Sequence, residues 1–126
     1  DCITLRGDLG AGKTTFAQAF IRALLPGADV TSPTFNLVQT YETPEATLWH
    51  FDLYRLKSVA ELRETGLEEA LQNGITLVEW PDIAESEWPA TRLAIELIIG
   101  EGSERRAAIT GASRWQPILH SLTIVG

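Results

Sequence analysis

The tightest constraint on this fold is a glycine-rich turn at residues 7–14, Gly-Asp-Leu-Gly-Ala-Gly-Lys-Thr, between an apolar run and an amphipathic one. It completes the pattern G-x-x-x-x-G-K-[ST], which acts only where a buried strand hands over to a helix. Both flanks agree with that context. Cys2-Ile3-Thr4-Leu5-Arg6 reads as a short buried strand. Behind the turn, Phe16, Phe20 and Leu24 recur at helical spacing, with Ala17, Ala19, Ile21, Ala23 and Leu25 filling in.

Glycines in such a turn let consecutive backbone N–H groups point inward, and a helix starting at the lysine adds the positive end of its dipole. The expected ligand is a nucleoside triphosphate. The amides of Asp8, Leu9, Gly10, Ala11 and Gly12 would line its phosphates. Lys13, read here as an exposed side chain, supplies a point charge for the β and γ phosphates. Thr14 supplies a hydroxyl suited to Mg2+, a hard ion that keeps several waters and takes few protein ligands. No Asn-Lys-x-Asp sequence is present to read guanine, so ATP is the preferred nucleotide.

At 126 residues the chain fits one domain. No stretch approaches a membrane span. The lone cysteine, Cys2, falls in the first strand, where a buried inert thiol suits a reducing cytoplasm. A net charge of −7 argues against an extended nucleic-acid surface, which needs clustered Lys and Arg, so RNA contact is expected to be indirect. The chain begins at Asp1 and contains no methionine, so a missing N-terminal leader is expected.

Further along, residues 35–41 and 47–53 flank a Thr-Pro-Glu-Ala turn and predict a β-hairpin. Ser58 with Glu61 forms a capping box that opens a helical stretch to about Asn73, divided at Gly66. Ile75-Thr76-Leu77-Val78 is a continuous apolar run typical of a central strand. Residues 92–99 and 105–111 predict a second hairpin at a sheet edge, and residues 115–122 a short helix. The expected architecture is a three-layer α/β P-loop domain whose sheet mixes parallel and antiparallel strands.

A phosphate-loop site also needs an acid at the end of a neighbouring strand, because ligands bind outside the carboxyl ends of strands in open α/β sheets. Two acids qualify. Asp52 ends Leu48-Trp49-His50-Phe51 and suits Mg2+; Glu79 ends the apolar run and would orient or deprotonate the attacking water, or support the metal. The bland alternative for either is a solvated strand-end residue. Thr34, in a Ser-Pro-Thr loop, is placed where nucleotide switches carry a γ-phosphate or Mg2+ sensor, although Ser and Thr beside proline are also ordinary turn formers. Arg55 would neutralise phosphoryl charge or form a structural ion pair. His50 alternates with Asp52 and reads as a satisfied core histidine or one supporting the site. Trp80 reads as core more readily than as site, and Trp49, Trp88 and Trp115 as packing residues.

Four motifs in order resemble the TsaE (formerly YjeE) family over nearly the whole chain: the loop with Thr15, Thr-Ser-Pro-Thr-Phe at 31–35, His-Phe-Asp-Leu-Tyr-Arg at 50–55, and Val-Glu-Trp-Pro at 78–81. The resemblance implies a cytoplasmic ATPase that works with the TsaB and TsaD proteins. TsaD transfers a threonylcarbamoyl group to the adenosine beside the anticodon of tRNA, and the ATPase helps that complex turn over. It also implies Lys13, Thr14 and Thr15 as phosphate and Mg2+ contacts, Thr34 as a switch threonine, Asp52 as the strand-end acid for the metal, Glu79 as the acid needed for activity, and Trp80 as its motif neighbour. Family members carry a leader that helps form the nucleotide pocket, which puts part of the adenine contact in doubt here. Two rivals stay open: a P-loop small-molecule kinase and a non-hydrolytic nucleotide-gated assembly factor.

Overall fold

A computed structural model describes residues 1–8, 12–31, 33, 36–101 and 105–111. Six strands form one sheet: β1 (Cys2–Arg6), β2 (Val38–Glu42), β3 (Thr47–Asp52), β4 (Ile75–Glu79), β5 (Leu93–Ile99) and β6 (Arg105–Gly111), in the order β2-β3-β4-β1-β5-β6. The four inner strands run parallel, while β2 and β6 pair antiparallel at the two edges. This is the expected mixed α/β sheet. The crossovers carry α1 (Lys13–Leu24), α2 (Val59–Arg63) and α3 (Leu67–Asn73), and a 3-10 segment at Pro81–Glu87 comes after β4.

Strand alternation divides the core in two. Ile3, Leu5, Leu48, Leu77, Leu93 and Ile95 pack with Ala17, Ile21 and Val30 on the α1 side. Cys2, Phe51, Leu53 and Val78 pack with Leu62, Leu67, Ala70, Ala84 and Trp88 on the other. The buried stripe of α1 is Lys13, Ala17 and Ile21, spaced by four residues, whereas Phe16, Phe20 and Leu24 are partly buried at its margin. Lys13 is thus anchored to the core, which corrects the expectation of an exposed side chain.

Local chemistry explains the element ends. Ser58 Oγ accepts from the Glu61 N–H at 3.2 Å and caps α2, and Gly66 separates α2 from α3. The first hairpin strand starts at Val38, because Asn36 closes a turn onto Pro33 O at 3.2 Å and Leu37 adopts a φ of 68°. The helix expected at residues 115–122, and Trp115 with it, lies outside the described residues.

Trp49 bridges the layers, stacked on Phe51 with ring centroids 6.4 Å apart, and packs against Gly74. A methyl group on Gly74 would meet Trp49 Cδ1 at 2.8 Å and the Thr47 carbonyl oxygen at 2.9 Å. The carbonyl belongs to β3 and has little room to yield. Gly74→Ala is therefore expected to destabilise by about 1–3 kcal/mol, read as a lower denaturation midpoint with unchanged slope. A midpoint equal to the parent's would remove this packing constraint.

Burial pushes the Cys2 thiol up from its ordinary 9.0 to about 12, against the opposing pull of the N-terminal ammonium and Arg92. The native state therefore holds the thiol proton more tightly than the unfolded chain. Its contribution is complete below pH 9 and is lost as pH rises from there toward 12. In the folded protein at pH 8, Cys2 is expected to resist a disulfide-exchange reagent that labels it promptly once unfolded. Prompt labelling of the folded chain would contradict the burial.

Candidate active site

The site forms where β1, β3 and β4 end on one side of the sheet. Leaving β1, the backbone turns through Gly7 and Asp8, and Gly12, with a φ of 102°, caps the start of α1. That left-handed conformation suits glycine and lets the chain turn directly into Lys13. Leu9, Gly10 and Ala11 lie outside the described residues, as do Thr34 and Phe35 of the second motif. No acidic residue occupies the first turn of α1, and no side chain caps it. Its leading N–H groups therefore keep the anion-binding character of a helix start.

Lys13 Nζ donates to the carbonyls of Gly7 at 2.5 Å and Asp8 at 3.0 Å, and lies 4.0 Å from the centroid of the Trp80 ring. A cation over a desolvated indole gains about 1–2 kcal/mol. Burial lowers the Lys13 pKa, and the negative charges of Glu79, Asp52, Asp8 and Asp82 pull it back up. The result is a buried lysine ringed by acids and held by two backbone carbonyls.

Trp80 reaches this position through a strained backbone, with φ 59° and ψ 48° immediately after β4. A bulky residue in the left-handed region costs about 1–3 kcal/mol and is held there by its surroundings. Here the ring contacts both Lys13 and Tyr54, whose ring centroid is 5.0 Å away. Both readings of Trp80 meet here: it is partly buried against the Phe51 and Val78 side of the core, and its ring also lies over the lysine.

The two acids sit side by side. Asp52 and Glu79 are register partners on parallel strands and project to one face, as do His50 and Leu77 two residues back. Asp52 is 6% exposed and Glu79 1%, so neither is a solvated strand-end residue. The Asp52 N–H donates to Leu37 O at 3.0 Å, and the Leu53 N–H to Glu79 O at 3.1 Å. Asp52 Oδ1 accepts from the Tyr54 N–H at 3.1 Å. Glu79 Oε1 accepts from the Thr14 hydroxyl at 3.0 Å, and Glu79 Oε2 lies 2.6 Å from His50 Nε2. Thr14 and Glu79, 65 positions apart in sequence, thus meet directly. Thr15, Asp8 and Arg55 are exposed.

The oxygen donors of Thr14, Asp52 and Glu79 fit Mg2+ chemically. Among the described residues, no group of three or more His, Cys, Asp or Glu forms a metal cage. Beside the loop, a cavity of about 380 Å³ opens between Trp80 and the end of β5, with Arg6, Asp8, Asp82 and Glu96 on its walls.

Sequence reasoning places His50 beside Asp52 but misses its contact with Glu79, and it gives Tyr54 no part beside Trp80. Alternation with Asp52 is the available signal for His50. Finding its partner needs the β3–β4 register.

The model of the family described as "Threonylcarbamoyl adenosine biosynthesis protein TsaE" matches residues 1–107. The chain belongs to the TsaE family. It is similar to the tRNA threonylcarbamoyladenosine biosynthesis protein TsaE of Rickettsia bellii, 44% identical over 109 residues, covering 86% of this chain and 76% of that one. The TsaE protein of Bacillus subtilis is 36% identical over 125 residues, covering 98% of this chain and 78% of that one. The crystal structure of Bacillus subtilis YdiB superposes with a TM-score of 0.74 at 33% identity, covering 95% of this chain and 74% of that one. The mixed α/β sheet is therefore a fold this TsaE-family chain shares with a solved structure. No helix among the described residues is long and apolar enough to cross a membrane.

Proposed function

We propose that this chain binds and hydrolyses Mg2+-ATP and thereby supports threonylcarbamoyl transfer to tRNA by the TsaB–TsaD complex, without touching the modified base. The observation that carries the hydrolytic reading is the meeting of Thr14 and Glu79 at 3.0 Å beside a buried Lys13. The biosynthetic context rests on the family model and the names of the relatives.

In this reading the loop amides and Lys13 bind the phosphates and neutralise charge that develops on the transferred phosphoryl group. Thr14 and Asp52 would hold Mg2+, which supplies electrostatic stabilisation to the phosphates when bound. Glu79 orients the attacking water and accepts its proton, and Thr34 reports the γ-phosphate. Trp80 and Tyr54 screen the Lys13 side from bulk water, strengthening its charge toward phosphate.

A kinase would need arginines gathered on a lid, whereas the arginines here are scattered along the sequence, and Arg6, Arg63 and Arg92 pair with Glu85 or Glu87. The test is ATP consumption with no small-molecule acceptor present. Stoichiometric release of free phosphate, with threonylcarbamoyl transfer by TsaB–TsaD depending on the added chain, is the expected result. Phosphate transfer to an acceptor instead of water would overturn the reading.

A further inference from the structure

We propose that His50 is a positioning residue for Glu79: its Nε2–H holds one carboxylate oxygen, so that the other faces the start of α1 and the reacting phosphate. The proposal deepens the hydrolytic reading and rests on Glu79 acting on the attacking water.

His50 and Glu79 occupy adjacent parallel strands, and both are sealed from solvent, with side-chain exposures of 0% and 2%. The Nε2 to Oε2 distance of 2.6 Å is that of a short, well-formed hydrogen bond. Glu79 also accepts from the Thr14 hydroxyl, and a carboxylate that accepts on both oxygens requires the hydrogen of this bond on Nε2. The ring's other nitrogen, Nδ1, is buried with no hydrogen-bond partner among the described residues. Leaving a buried polar atom unmatched costs stability that an apolar residue at position 50 would avoid. A histidine serving packing alone would not carry that cost within β3, where Leu48 two residues before it on the same face is an apolar residue at 0% exposure. What it provides is a rigid donor at one distance and direction. Glu79 is thereby held from two sides, by His50 at Oε2 and by Thr14 at Oε1. Were Thr14 to hold Mg2+ in place of Oε1, the bond from His50 would still fix Oε2 and keep the aim of the carboxylate.

The experiment compares His50→Gln, His50→Asn and His50→Leu for ATP affinity and for hydrolysis with TsaB–TsaD present. Gln places its amide nitrogen near the Nε2 position, Asn near Nδ1, and Leu offers no donor. His50→Leu and His50→Asn are expected to lower kcat by about 10- to 100-fold with ATP affinity kept, and His50→Gln to recover most of that loss. Unchanged kcat in His50→Leu, or a Gln variant no better than Asn and Leu, overturns the proposal.

A second measurement is independent of turnover: 15N NMR of the imidazole in the folded chain, assigned against the other histidine, His120. The Nε2–H tautomer is expected, and the Nδ1–H tautomer overturns the proposal even if all the variants are too unstable to assay. A parent chain that releases no phosphate under any condition counts against the hydrolytic reading. In that case the tautomer still decides whether His50 holds Glu79.

Discussion

Glu79→Gln is expected to bind ATP within about twofold of the parent while hydrolysis falls by about 10²- to 10⁴-fold, the usual contribution of a positioned acid–base group. The substitution keeps the shape of the side chain and its oxygen, so a bond to either His50 or Thr14 survives. It removes the negative charge and one of the two acceptors those groups now use. Losing that bond inside a buried site costs about 1–3 kcal/mol of stability, which a denaturation midpoint reads separately from kinetics. Nucleotide affinity is supplied elsewhere, by the loop amides and Lys13, so binding and turnover should separate. Turnover equal to the parent's would remove Glu79 from the mechanism. A parallel loss of affinity would make it a binding group instead.

Lys13→Ala is the complementary case, with the loss in binding. A charge-assisted contact to phosphate is worth about 1.5–3 kcal/mol, so ATP affinity should weaken by about 10- to 100-fold or more. Folding should survive. Burial lowers the Lys13 pKa, which means the native state holds this proton less tightly than the unfolded chain does. Carrying the charge at neutral pH therefore costs stability, and its removal offsets the two carbonyl bonds and the Trp80 contact that vanish with it. The net change in stability should stay within about 1 kcal/mol. By the same sign, the parent should gain stability relative to Lys13→Ala as alkaline pH begins to discharge the lysine. Tight ATP binding by a folded Lys13→Ala protein would count heavily against the proposed site.

Features governed by neighbours in sequence are the legible ones. The helix start at Lys13, the Ser58 cap of α2, the break at Gly66 and the apolar strand Ile75–Glu79 each arise from local backbone chemistry or periodicity. Asp52 and Glu79 can be found because both end strands next to turn signals. The features that escape depend on contacts between distant segments. Lys13 looks exposed until one notes that it continues the Ala17 and Ile21 stripe, and the identity of the residue alone argues the other way. The 3-10 segment at Pro81–Glu87 is hidden because proline after a strand signals an ending without specifying the next element. Trp80 turns onto Lys13 because of a backbone conformation that no propensity favours for tryptophan. His50 and Glu79 meet through strand register, which is set by packing across the sheet.

If hydrolysis of ATP at this site is organised by the partner complex, the steady-state rate of phosphate release by the full-length protein must depend on TsaB–TsaD. The rate should be measured for the protein alone and with the complex added. A slow rate alone and a clear rise with the complex, absent in Glu79→Gln, is the expected result. An identical rate with and without the complex would overturn partner-organised hydrolysis and leave a nucleotide-gated assembly factor or an unrelated P-loop enzyme.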